Sequence, residues 1–281
     1  MRKAILTAVI VITAAGMACA DPLLLRKASN ELDKGELEFG ISYFSYQNDV
    51  VKFVDDADNV VREDNNTSME IPLYVNYGIT DKVESYIYVP YFMDSSKSES
   101  GGQSTTSDES YMGDPSIQVK GNIADSCCKM GAGAGLTLPM GDEEHRGGLD
   151  ISGLLAMRKE MAVLTLNGEV TYTLTGEYEE SAIKTNPGDN IGIGVGIEHP
   201  VKPVEGLILI GELLYNSFGE AKIDGEAMSD TSGSKTDAVI GMEFSRGRIC
   251  TNLGLALSLG SEKYREYDYK VLAGITYYIK L

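Results

Sequence analysis

The residues able to do chemistry in this 281-residue chain are few, and their surroundings decide among their uses. His145 follows Asp142, Glu143 and Glu144, with Ser152 seven residues on, and a histidine beside a carboxylate can serve as a base. No nucleophile motif accompanies it, and the other histidine, His199, falls at a short turn away from that loop. The expectation is that the protein is not an enzyme. Cys127, Cys128 and Cys250 have neither the paired spacing of a zinc site nor the number a disulfide scaffold needs. Hence no cofactor and no bound metal are expected. If the chain closes into a barrel, Cys250 lies about halfway round from the other two, so any bond is vicinal or intermolecular.

The ionisable side chains that remain recur at alternate positions within short apolar runs. In residues 71–91, "IPLYVNYGITDKVESYIYVPY", Ile71, Leu73, Val75, Tyr77 and Ile79 share one face, and Pro72, Tyr74 and Asn76 the other. After a pivot at Thr80-Asp81-Lys82 the alternation resumes, with Glu84, Tyr86 and Tyr88 on the polar side. Period-2 alternation marks a strand whose two faces meet unlike environments. The pattern occurs in twelve segments, beginning at Leu37 and ending at Leu281. The predicted polar faces carry Glu38, Glu70, Glu84, Glu169, Glu198, Glu212 and Glu243 against Lys120, Arg158, Lys270 and Lys280. Inward aromatics are expected at Phe44, Tyr46, Tyr74, Tyr86, Tyr88 and Tyr278. Inward glycines fall at 131, 133 and 135 and at 192, 194 and 196.

The connections say what the apolar faces meet. Short turns, such as 80–82, "ADSCC", "RKEM" and "SRGR", alternate strictly with long segments at about 48–66, 93–112, 140–149, 175–190, 217–236 and 260–268. Outer-membrane barrels have short periplasmic turns and long outer loops, a sorting that a soluble sandwich does not require. Outward tyrosines cluster near strand ends: Tyr43, Tyr91, Tyr172, Tyr215 and Tyr269 at the long-loop level, Tyr77 and Tyr277 at the other. Amphipathic rings suit the two membrane interfaces. The fold expected is all-β: an antiparallel transmembrane β-barrel of about twelve strands. Pro72 fits poorly inside a strand of a closed barrel and calls for a local bulge.

The N-terminus agrees. Arg2 and Lys3 precede the apolar "AILTAVIVITAAGMACA", and Ala18-Cys19-Ala20 offers a cleavage site, so residues 1–20 read as a secretory signal peptide. Cys19 follows Gly16-Met17-Ala18, a lipobox without its usual branched residue, which makes a lipid anchor the weaker reading. Residues 21–34 form a periplasmic segment able to act as a plug, and 35–281 the barrel. Cleavage removes two of the 24 basic residues and none of the 42 acidic ones, leaving a net charge of −20. Nucleic acid is therefore not an expected partner. Much of the acid sits in the long segments, "DDAD" at 55–58 most densely. Expected partners are outer-membrane lipids and, through the terminal "VLAGITYYIKL", the barrel-assembly machinery of a Gram-negative outer membrane.

Four stretches, "LDKGELEFGISYFSY" at 32, "YGITDKVESYIYVPY" at 77, "GDPSIQVKG" at 113 and "GAGLTLPMGDE" at 133, resemble the outer-membrane family named for the meta-pathway of phenol degradation. The resemblance implies a barrel that moves small, often aromatic, compounds. The function expected is a passive channel, with Glu70, Tyr74, Glu84, Tyr86, Tyr88, Lys120, Arg158, Glu169, Glu212, Glu243 and Lys270 lining the lumen. A closed structural or surface-interaction barrel with acidic loops is the alternative; an outer-membrane hydrolase is the weaker third.

Overall fold

The computed structural model describes residues 32–54, 60–100, 103–142, 147–180, 183–202, 204–228, 231–259, 267 and 269–280. The signal peptide, residues 21–31 of the N-terminal segment, Asp55–Asp58 and His145 lie outside them.

Among the described residues seventeen strands succeed one another: β1 (Glu36–Val54), β2 (Val60–Thr80), β3 (Val83–Ser100), β4 (Gln103–Met112), β5 (Ser116–Asp125), β6 (Lys129–Thr137), β7 (Asp150–Glu160), β8 (Thr165–Leu174), β9 (Tyr178–Glu180), β10 (Ile183–Asn186), β11 (Asn190–Pro200), β12 (Leu207–Phe218), β13 (Lys222–Ile223), β14 (Glu226–Ala227), β15 (Gly233–Arg246), β16 (Ile249–Ser258) and β17 (Tyr269–Lys280). Twelve of them, β1, β2, β3, β5, β6, β7, β8, β11, β12, β15, β16 and β17, close into an antiparallel barrel. β1 joins β17 and β2 joins β3, so the wall has no free edge.

Outside and inside differ as the alternation predicts. Leu73, Leu155 and Ile240 are 51%, 59% and 65% exposed on the outer face, while Leu272, on the inner one, is 1% exposed. An apolar surface continuous around the whole barrel is far larger than a soluble monomer tolerates, and lipid is its solvent. The connections alternate as expected, with tight turns at one end and long excursions at the other.

Those excursions carry structure where the sequence alone predicts loop. Residues 48–54, 60–66, 93–100 and 103–112 continue as strand, so β1, β2, β3 and β4 stand above the rim as a four-stranded extension. On another side β14, β13, β10 and β9 pair into a small second sheet that ties two outer connections together. Its β13–β14 turn places Asp224 and Gly225 at φ 50 and 81, the left-handed pair that a two-residue hairpin requires.

Pro72 has an explanation. It pairs in register with Pro90, and both face inward. On the far side of Pro72, β1 inserts one extra residue between Ile41 and Ser45; at Pro90, β3 passes from its partner β5 to β4. Each proline thus sits beside an interruption in the ladder, where an N–H is least needed. The bulge also corrects an expectation. Ser45, 3% exposed, takes the inner face opposite Glu70, which turns Tyr46 outward, because one added residue shifts the alternation by one.

Candidate functional site: the barrel lumen

The inner wall is built mainly of polar side chains held to one another along the strands. Near the periplasmic half, Arg158 on β7 donates from Nη1 and Nη2 to the Glu198 carboxylate on β11, at 2.9 and 3.1 Å. Asn167, on β8 between them, donates to the same carboxylate at 2.9 Å. A bidentate guanidinium–carboxylate pair with an amide in support is the arrangement that best offsets the cost of taking both charges out of water.

A second group spans β17, β1, β2, β3 and β5. The Tyr74 hydroxyl donates to Glu38 Oε1 at 2.7 Å and lies 2.7 Å from Thr276 Oγ1. Tyr74, Gly40 and Thr276 occupy one row across three strands, so the ring reaches Thr276 by passing the side-chain-free position at Gly40. Asn76 donates to both Glu38 and Glu84, each at 3.3 Å, and Lys120 pairs with Glu84 at 2.8 Å. Glu84 and Lys120 are both well under one-tenth exposed.

Along the inner face of β3 and its neighbours runs a series of rings. Tyr86 stands 5.5 Å from Tyr74 and 6.2 Å from Tyr88, centroid to centroid. Beyond Pro90, Phe92 and Tyr111 stack at 5.1 Å in the outer extension. Tyr88 donates to Glu70, and Tyr111 to Asp94 at 2.9 Å. Burial, then the Asp94 charge, push the Tyr111 hydroxyl well above its ordinary value. Aromatic faces therefore line one side of the lumen from mid-membrane to the outer mouth.

Beside this group, on β6, the wall is thin. Gly131, Gly133 and Gly135 of β6 pair with Asn122, Lys120 and Gln118 on one side and with Ala156, Leu154 and Ser152 on the other. Over that strip opens a cavity of about 40 Å³ lined by Asn76, Glu84, Tyr86, Gln118, Lys120, Leu154, Glu169 and Thr171. A space of this size holds two or three waters.

A third neighbourhood is partly apolar. Tyr267, from the last outer connection, is 5% exposed among Val239, Ala256 and Leu272, with Leu214 against them. Lys270 Nζ sits 5.8 Å from the Tyr267 ring centroid, and Lys235 lies 5.7 Å from that of Phe218.

Glu70, Tyr74, Glu84, Tyr86, Tyr88, Lys120, Arg158, Glu169, Glu212, Glu243 and Lys270 all occupy inward-facing positions. The structure brings Tyr74, Glu84, Tyr86, Lys120 and Glu169 together and leaves Arg158 in a group of its own. Lys280 does not face the lumen: it is exposed at the periplasmic rim, 3.6 Å from Asp33 and 3.5 Å from Glu36, because it ends the last strand beyond the mouth. Lys235 and Asp237 are buried inward residues absent from the expected lining. They share the parity of Glu243, but the apolar alternation becomes visible only at Ala238, whereas β15 starts at Gly233.

Cys127 and Cys128 stand apart from the lumen groups, whereas Cys250 is the cross-strand neighbour of Thr276 in the second of them. The three cysteines among the described residues are free; Cys127 and Cys128 lie with Sγ atoms 3.9 Å apart in the β5–β6 turn, and Cys250 is buried on β16.

No protein-family profile and no curated protein matches this sequence. Its architecture does have solved counterparts. The COG4313 outer membrane channel from Pseudomonas putida F1 superposes with a TM-score of 0.70 at 13% identity, over 90% of this chain and 98% of that one. The chain has the fold of an outer-membrane β-barrel. The translocator domain of the autotransporter NalP from Neisseria meningitidis is similar at a TM-score of 0.52 and 10% identity, over 95% and 96% of the two chains. At such identities the likeness concerns the fold, and the placement of this barrel in the outer membrane agrees with its lipid-facing belt.

Proposed function

We propose that the protein is a passive outer-membrane channel for small solutes. The observation that carries this reading is the inner wall. Carboxylates, lysines, amides and tyrosine faces occupy positions that a barrel serving only as a scaffold fills more cheaply with apolar side chains, since buried charges cost more than they return in stability. The pairs Arg158–Glu198 and Glu84–Lys120 join strands that are adjacent or next but one, bracing the wall along its circumference. The likeness to a channel of the same architecture supports the reading, as do the stretches resembling the phenol-degradation family, to which we assign the chain on those residues. Lipid on the outer face, folding assisted through β17 and the absence of enzymatic activity belong to the same proposal.

The excess of carboxylates over cations on the inner wall gives an open lumen a preference for cations. Single-channel current through the refolded mature protein in a planar bilayer tests this. Steady conductance whose cation preference falls in Glu84→Gln/Glu212→Gln is expected. A well-folded barrel without conductance would overturn the channel and favour a closed barrel acting through its outer surface, a reading that the inward fold of Tyr267 supports.

A further inference from the structure

Within the lumen, Glu169 differs from the carboxylates around it. It is 8% exposed, yet among the described residues it has no hydrogen bond and no cation within ion-pair distance. Glu38, Glu84 and Glu198 are each held by a neighbouring donor. Glu169 instead borders the 40 Å³ cavity, with Lys120 near enough to act on it only through its field. Lys120 is itself engaged by Glu84 at 2.8 Å, so whenever Glu169 is ionised the two carboxylates and one ammonium around the cavity leave one negative charge in excess.

A buried carboxylate without a partner is costly, and a cation entering the cavity removes that cost. The shape says what kind of cation. On β6 the inward positions beside Lys120 and beside Ala156, the cross-strand neighbour of Glu169, are Gly133 and Gly131, so β6 adds no side chain to the space between Lys120 and Glu169, and β7 borders it with Leu154 and Ala156. A Cβ at Gly133 would come 3.0 Å from the Val119 carbonyl oxygen and 3.4 Å from Lys120 Cβ. Tyr86 forms another wall, and the rings flanking it, Tyr74 and Tyr88, donate their hydroxyls to Glu38 and Glu70. Donation to a carboxylate enriches a phenol ring in electron density, which favours a cation over its face. Calcium and magnesium prefer a shell of six or more oxygens, whereas this cavity sets an aromatic face and a lysine beside its carboxylates.

We propose that Glu169 and Tyr86 form a lumenal subsite for the positively charged head, an ammonium or guanidinium, of a small organic solute whose remaining body lies along the tyrosines toward the outer mouth. The proposal deepens the channel reading and rests on the lumen being reachable by solute. The cavity takes the head only; Tyr86 and Tyr88 supply the surface against which the body lies.

Calorimetric titration of the folded, detergent-solubilised mature protein with benzylammonium, benzyl alcohol and benzoate tests it. Benzylammonium should bind at least tenfold more tightly than the other two, and Glu169→Gln should reduce it to the level of the alcohol. Tyr86→Leu should weaken benzylammonium while leaving Glu169 in place. Heat-modifiable electrophoretic mobility reports whether each variant folds; should Glu169→Gln fail, the ranking of the three ligands on wild type and Tyr86→Leu still decides. Equal binding of all three ligands, binding unchanged by Glu169→Gln, or displacement of benzylammonium by an equal concentration of potassium would each overturn the subsite. Binding without bilayer conductance would keep the subsite and remove the channel, whereas conductance without charge-selective binding would do the reverse.

Discussion

At the scale of single residues, two positions are constrained by geometry that composition does not reveal. A Cβ at Gly40 would lie 2.1 Å from the Ile275 carbonyl oxygen, in the row that Tyr74 crosses to meet Thr276. Gly40→Ala should therefore destabilise the barrel by on the order of 1–3 kcal/mol, the usual cost of overpacking, read as a lower denaturant midpoint for loss of heat-modifiable mobility. The second position is Cys127. Its hydrogen bond with the Cys128 thiol, then Ser126 and the Lys159 charge, hold its pKa below the ordinary thiol value. A lowered pKa means more thiolate at a given pH. Maleimide labelling should modify Cys127 ahead of buried Cys250, and its rate should rise with pH through a midpoint below that of a free cysteine. Peptide mapping of the labelled protein checks the order, and a disulfide found between Cys250 and either turn cysteine would contradict the strand arrangement.

At the scale of the element, the bulge in β1 is the feature with most consequence. Before it the inward residues of β1 are even-numbered, Glu38 and Gly40; after it they are odd-numbered, beginning with Ser45. Cysteine substitution distinguishes the two sides: Tyr46→Cys, facing lipid, should react with a membrane-soluble maleimide ahead of Ser45→Cys, which is buried on the inner face. The reverse pattern would remove the bulge. Pro72 signals in the sequence that something interrupts the ladder here, but a proline names only its own missing donor. Which strand accommodates the interruption depends on the neighbour's register, and that neighbour begins its pairing more than thirty positions away, at Leu37.

At the scale of the whole molecule, charge is distributed unevenly between the lumen and the outer face. Exposed charges act through salt solution and are screened beyond about 10 Å at 0.1 M salt, whereas charges inside a narrow low-dielectric wall are screened less. Cation preference set by the lumen should therefore decline only gradually from 0.1 to 1 M potassium chloride, and preference set by the acidic outer surface should collapse over the same range. Reversal potentials measured across that range separate the two origins. The outer surface itself is more ordered than its loop-like composition suggests, since the polar runs at 60–70, 93–100 and 103–112 pair with one another as strand. Such runs lack an apolar face, so they carry no alternation in hydropathy.

What the sequence determined by itself was the class of fold and the face of most residues. Side chains alternate with an invariant period of two, and lipid on one side against a polar lumen on the other writes that period into hydropathy at every strand, which is why Glu84, Lys120, Glu169 and Glu212 can be assigned inward from their positions alone. Only the tertiary structure decided which of these residues meet. Lys120 chooses Glu84 over Glu169, Arg158 reaches past Asn167 to Glu198, and Tyr267 folds back onto Leu272, because partners are set by the stagger of neighbouring strands around the closed wall. Parity is a property of one strand and can be read along it. Stagger is a property of the closed barrel, and a single bulge or a strand two residues longer than expected changes it without altering the apolar pattern.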